Sequence, residues 1–141
     1  MSNLKAFLRE NVEVVQNEFI IVSDRFKDDK GEPVSWEVRP LSEDEVDSLR
    51  KSCTKRVKSK NRGAREEVVD TDLLGAKLIT ASVVSPPLKN EELQKSWGVV
   101  GAEALVRKML LFGEYASLSA KIYELSGIDN DFDEDVDDAK N

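Results

Sequence analysis

The apolar positions fall into short runs whose spacing changes along the chain. Leu4, Phe7 and Leu8 lie at helical spacing behind Ser2 and Asn3, either of which can cap a short first helix. Phe19-Ile20-Ile21-Val22 is β-branched and aromatic throughout and predicts a buried strand. Turn chemistry follows in Asp28-Asp29-Lys30-Gly31-Glu32-Pro33. Val34-Ser35-Trp36-Glu37-Val38 then alternates strictly, a half-buried strand with Val34, Trp36 and Val38 on one face. The two runs predict a β-hairpin that Pro40 ends, since proline cannot donate to a ladder.

Ser42 and Glu45 form a capping-box pair, with Leu41 and Val46 at the staple positions. Val46, Leu49 and Cys53 recur at +3 and +7, predicting a helix from about Glu43 to Arg56 with Cys53 as a small buried hydrophobe. Glu66 to Val69 reads as a weak third strand. From Asp72 the period turns helical again, with Leu74, Leu78 and Ala81 on one face and Leu73 and Ile79 beside it. Gly75 weakens that helix, which points to a close packing contact, and Pro86-Pro87 stop it. Asn90 caps a short helix, Glu91 to Trp97. Ala102 to Phe112 carries the wide apolar face Leu105, Val106, Met109 and Leu110. After Gly113 a last helix runs to about Ser126, with Tyr115, Leu118, Ile122 and Leu125 at 0, +3, +7 and +10, and Gly127 suits its left-handed end. Strands first and helices after predict an α+β fold: an N-terminal β-hairpin and capped helix, then a cluster of short C-terminal helices.

Charge adds a boundary to this picture. Seven acids and no base lie between Asp129 and Asp138, and they equal the whole net charge of −7. Eight bases and no acid lie between Arg50 and Arg65. Such blocks stay solvated and seldom pack. The expected organisation is one α+β domain over 1–128, with a mobile basic loop at about 56–65, and a disordered acidic tail over 129–141. At 141 residues the chain is long enough for one core. A single cysteine excludes an intramolecular disulfide framework and agrees with a reducing compartment. The N-terminal stretch is interrupted by Lys5, Arg9, Glu10 and Glu13, so no signal-peptide run and no membrane span is expected.

The candidate chemistry is sparse. No histidine is present, so imidazole catalysis and histidine metal ligation are excluded. Asp129-x-Asp131-x-Asp133 opens like a calcium loop, but Glu134 stands where the turn glycine belongs and Lys140 where the bidentate glutamate belongs. If the helix beginning at Glu43 continued, Lys51, Lys55, Lys58, Arg62 and Arg65 would form a phosphate-binding stripe. Ser59, Asn61 and Gly63 weaken that continuation, and no aromatic interleaves to stack bases, so nucleic acid is not the expected partner. No glycine-rich phosphate loop or nucleophile elbow occurs. No catalytic, cofactor or metal site is expected. Trp97, Met109, Phe112 and Tyr115 are the candidate partner-binding residues; the last three cluster near the junction of the last two helices, where closing the core is their alternative role.

The series Leu78-Ile79-Thr80-Ala81-Ser82-Val83-Val84-Ser85-Pro86-Pro87-Leu88, Glu92-Leu93-Gln94-Lys95-Ser96-Trp97-Gly98, Gly101-Ala102-Glu103-Ala104-Leu105 and Met109-Leu110-Leu111-Phe112-Gly113-Glu114-Tyr115-Ala116, ending in Glu124-Leu125-Ser126-Gly127, resembles the XkdN-like tail assembly chaperones of phages and PBSX-type prophages of Gram-positive bacteria. The resemblance covers about Asp70 to Asp129 and reaches back through Trp36 to Ser42. In the family this resembles, a proline usually precedes the Gly-Glu-Tyr step, where Phe112 stands here. The resemblance implies a non-enzymatic protein of the bacterial host cytoplasm. It would bind the tape-measure protein, keep it soluble, help recruit tail tube subunits and be absent from the mature virion. A minor structural component of the tail or baseplate is the alternative, and a nucleic-acid-binding protein using residues 50–65 a more distant one.

Overall fold

The computed structural model describes residues 3–58, 63 and 65–128. The acidic tail over 129–141, Ser2, and the middle of the basic loop lie outside the described residues. Five strands and six α-helices are formed among the described residues. β1 (Glu18–Ile20), β2 (Trp36–Val38) and β5 (Val83–Ser85) make an antiparallel sheet in the order β1-β2-β5. β3 (Thr54–Lys58) and β4 (Arg65–Val69) make a separate antiparallel ribbon. The helices are α1 (Leu4–Phe7), α2 (Glu43–Ser52), α3 (Thr71–Ser82), α4 (Glu91–Ser96), α5 (Ala102–Met109) and α6 (Phe112–Leu125). The fold class is α+β, as the order of elements predicts.

β2 is central, so its alternation decides the core. Trp36 and Val38 are buried, whereas Val34, placed on the same face by the pattern, precedes the strand and is exposed. β1 is an edge strand with only one covered face, so the expectation of a fully buried run at residues 19–22 is corrected. Phe19 and Ile21 are exposed, whereas Ile20 and Val22 pack against the core. Between β1 and β2 the Asp28 carboxylate accepts from the Lys30 and Glu32 amides, and Gly31 takes φ +80° to complete the turn. α1 is a single turn with every residue exposed, and Asn3 makes no side-chain cap.

The capping box at α2 forms as predicted: Glu45 N donates to Ser42 Oγ at 3.3 Å and Ser42 N to Glu45 Oε1 at 3.2 Å. Arg39 adds a two-pronged guanidinium contact to the Glu45 carboxylate. The helix ends at Ser52, four residues before the predicted end. Cys53, buried at 2% exposure, is its C-cap, and its carbonyl accepts from Asp70 N at 2.8 Å. That bond ties the end of α2 to the start of α3, with the ribbon projecting between them. The described part of the basic segment is therefore strand and no continuation of the helix, so Lys55, Lys58 and Arg65 form no helical stripe with Lys51; Arg62 lies outside the described residues. The segment's flanks, residues 54–58 and 65–69, pair as strands, so the expected mobile loop at 56–65 is also corrected at both ends.

Asp70 caps α3 by accepting from Leu73 N. The helix stops at Ser82, before the proline pair, because β2 has an open edge that Val83–Ser85 fills. Ser82 seals this junction: it is fully buried, its Oγ donates to Arg39 O at 2.6 Å, and its carbonyl accepts from Arg39 N. The Asn90 cap on α4 forms as predicted. α5 ends at Met109 rather than Phe112, and α6 starts at Phe112. Leu105, Val106, Leu118 and Ile122 join Trp36, Val38 and Ile79 in one core between the sheet and α3, α5 and α6.

Glu45 and Glu114 each have a carboxyl pKa lowered from 4.5 to about 2, chiefly by side-chain hydrogen bonds from Arg39 and Arg25 respectively. A depressed folded-state pKa stabilises above the unfolded value and is lost as pH falls through the folded one. Thermal stability should therefore decline as pH falls from 4.5 towards 2. Glu45→Gln and Glu114→Gln should each flatten that part of the curve; unchanged slopes would count against both ion pairs.

Candidate functional site

α5 and α6 meet at a tight elbow whose construction exposes two consecutive apolar side chains. Leu110 is buried and bonds back to Val106 O, whereas Leu111 is 60% exposed and Phe112 93% exposed. Glu114 fixes the turn by accepting from Leu111 N at 2.8 Å, the return half of a capping box whose other half leucine cannot supply. Arg25 clamps it from the β1–β2 loop. Its Nη2 donates to Glu114 Oε1 and to Met109 O, and the guanidinium lies 5.1 Å from the Phe26 ring centroid. The elbow is thus held at three points while its tip faces solvent.

Beside the tip runs a cleft of 520 Å³ between α3, α5 and α6. Its α6 wall is Phe112, Tyr115, Ser119 and Tyr123, a stripe at 0, +3, +7 and +11 distinct from the core positions Leu118 and Ile122. That stripe covers about 16 Å at helical rise. Leu110 closes one side. Thr71, Asp72 and Gly75 of α3 form the opposite wall, and Arg107 ties α5 to α3 by donating to Asp72 O.

Gly75 faces the Tyr115 hydroxyl, but the close packing contact expected there is not tight: a Cβ built at Gly75 would sit 3.8 Å from that oxygen. This is ordinary contact distance, so glycine is not obligatory. Gly75→Ala should raise unfolding stability by about 0.5–1 kcal/mol through helix propensity. A loss of stability in thermal or denaturant unfolding would show that Tyr115 cannot yield.

The four residues selected from sequence separate in space. Phe112 and Tyr115 share the cleft. Met109 is 4% exposed in the core and lines a different cavity, of 420 Å³, with Arg25, Trp36, Pro86 and Leu93. Trp97, the C-cap of α4, is half-buried against the core. Sequence reading missed Leu111 and Tyr123. Four consecutive apolar residues, Met109-Leu110-Leu111-Phe112, were the available signal, because a helix elbow cannot bury all four. Among the described residues no group of three or more histidine, cysteine or acidic side chains is placed to hold a metal ion. No helix among them is long and apolar enough to cross a membrane.

The class that the fold defines is a small α+β domain with an aromatic-lined cleft between three helices. The particular family is established by comparison. Residues 4–140 match the phage XkdN-like tail assembly chaperone family, and the chain belongs to it. It is 26% identical over 121 residues to the phage-like element PBSX protein XkdN of Bacillus subtilis (strain 168), covering 85% of this chain and 81% of that protein. It is 28% identical over 121 residues to YqbN, an uncharacterised protein of the same organism, covering 85% and 80%. The crystal structure of YqbN superposes with a TM-score of 0.74 at 22% identity, covering 92% of this chain and 99% of that one, which establishes a shared fold.

Proposed function

We propose that this tail assembly chaperone binds the tape-measure protein in the cleft between α3, α5 and α6, keeps it soluble, and then yields it to tail tube subunits. The observation that carries this reading is the pairing of the cleft with the exposed Leu111–Phe112 tip. An amphipathic client helix presents apolar residues at i, i+3 and i+7, and the α6 stripe has the same spacing over three turns. Phe112 at the rim supplies an aromatic anchor and the Arg25–Glu114 clamp keeps it from collapsing inward. On this reading the chaperone releases its client, works in the host cytoplasm and does not enter the mature virion.

Co-expression with the tape-measure protein should raise that protein's soluble fraction and co-purify a complex. No change in its solubility would remove the reading. Recovery of this chain in assembled tails by mass spectrometry would favour a retained tail component instead.

A further inference from the structure

We infer that β1 pairs with β1 of a second copy of this chain across a two-fold axis, joining the two sheets edge to edge. The contact is independent of what the cleft binds. The order β1-β2-β5 leaves the sheet two edges, and they are built differently. β5 is guarded: its register with β2 shifts at a bulge, and Pro86-Pro87 follow it directly. β1 pairs with β2 without a shift, and no lysine, proline or glycine stands between Val12 and Ser23. The one charge on β1, Glu18, is drawn to α6, where Lys121 Nζ lies 3.7 Å from its carboxylate. An edge without such guards is a template for another strand.

The ladder decides which backbone groups face outward. Arg39 N donates to Ser82 O on the β5 side, so Glu37 also faces β5 while Trp36 and Val38 face β1. Their partners Ile20 and Glu18 therefore spend their backbone bonds on β2. By the same alternation the N–H and C=O groups of Asn17, Phe19 and Ile21 point away from β2, where no strand lies among the described residues. With the axis at Phe19, the two copies pair Phe19 with Phe19 and Asn17 with Ile21, and every outward group meets its complement. Glu18 then stands opposite Ile20 of the second copy. An axis at Glu18 would set two carboxylates opposite each other, and an axis at Ile20 would forgo the aromatic pair.

The apolar surface is concentrated on the same part of the chain. Eight of the seventeen exposed large hydrophobic residues lie between Leu4 and Ile21, and every residue from Asn3 to Asn17 is exposed. Antiparallel pairing sends this arm along the second copy, past its exposed Ile21. At on the order of 100 Å² apiece, eight such side chains offer about the 800 Å² that one partner gives to a standard-size interface. A second copy supplies both a strand for the edge and an apolar arm for the face beside it. A helical client supplies no strand.

The test measures the mass of the full chain by light scattering, with unfolding midpoints alongside. At about 0.1 mM protein, where mass action favours pairing, the mass should approach twice 15.8 kDa. Phe19→Lys places two lysines face to face at the axis and should raise the dissociation constant about ten-fold or more. Ile21→Lys, at a second exposed position, should also weaken pairing, and both variants should unfold close to the parent midpoint. Val100→Lys, on an equally exposed residue away from the sheet, should leave the mass unchanged. Under mild oxidation Phe19→Cys should cross-link between copies several-fold faster than Val100→Cys, because the pairing brings the two Cα atoms to about 5.5 Å. A monomer at that concentration, a dimer that survives both lysine variants of β1, or equal cross-linking of the two cysteine variants would each overturn the assignment.

Discussion

Trp36→Ala should cost about 3–5 kcal/mol, the range for removing a large buried aromatic. Trp36 is 2% exposed on the central strand, and its indole lies 5.8 Å from the Phe26 ring, centroid to centroid. The same side chain walls the 420 Å³ cavity with Leu93 and Met109, so truncation enlarges an existing space instead of leaving one that neighbours can close. Native domains hold roughly 5–15 kcal/mol in total, so this loss removes about a fifth of it or more. The midpoint of thermal unfolding, followed by circular dichroism, should fall by about 10 °C or more. Trp36→Phe retains a ring opposite Phe26 and should lose clearly less. A loss below about 1 kcal/mol for the alanine variant would mean that β2 does not organise the core.

Trp36 also shows which parts of the fold were legible beforehand. Its place on a buried face followed from alternation with Glu37 and Val38, a property of five consecutive residues. The α2 start was legible for the same reason, because Ser42 and Glu45 satisfy each other within one turn. β5 was not: Val83-Val84-Ser85 has no pattern of its own and is a strand because β2 presents an unpaired edge from 45 residues upstream. The ribbon was hidden by its charge. Lysine and arginine dominate residues 50–65, yet Val57 pairs within a strand opposite the run that ends in Val68 and Val69, and only the weak strand at Glu66–Val69 gave a sign of it.

The cleft divides the same way. Tyr115 was legible as part of a helical stripe, and Phe112 as an apolar residue at an elbow. Met109 was grouped with them by nearness in sequence, but its +3 and +4 spacing from Val106 and Leu105 places it on the buried face of α5. Helical phase, applied one residue at a time, separates Met109 from Phe112; proximity along the chain does not.

Phe112→Asp should weaken client binding by about 30-fold or more while leaving the fold intact. The ring is 93% exposed, so its removal costs the free protein little, and such surface changes usually stay within about 0.5 kcal/mol. Asp at the first residue of α6 is also favoured by the helix dipole. In the complex the balance reverses. An aromatic anchor that the client covers is worth about 2 kcal/mol or more, and burying an unpaired carboxylate adds to the loss. Phe112→Leu keeps apolar contact and should retain most binding. Val100→Asp is the matched control: Val100 is also 93% exposed but does not line the cleft. Co-purification of the tape-measure protein with the four chains, together with their unfolding midpoints, separates the cases. Equal loss from Val100→Asp and Phe112→Asp would reduce the effect to general surface charge, and retained binding by Phe112→Asp would move the client off the elbow altogether.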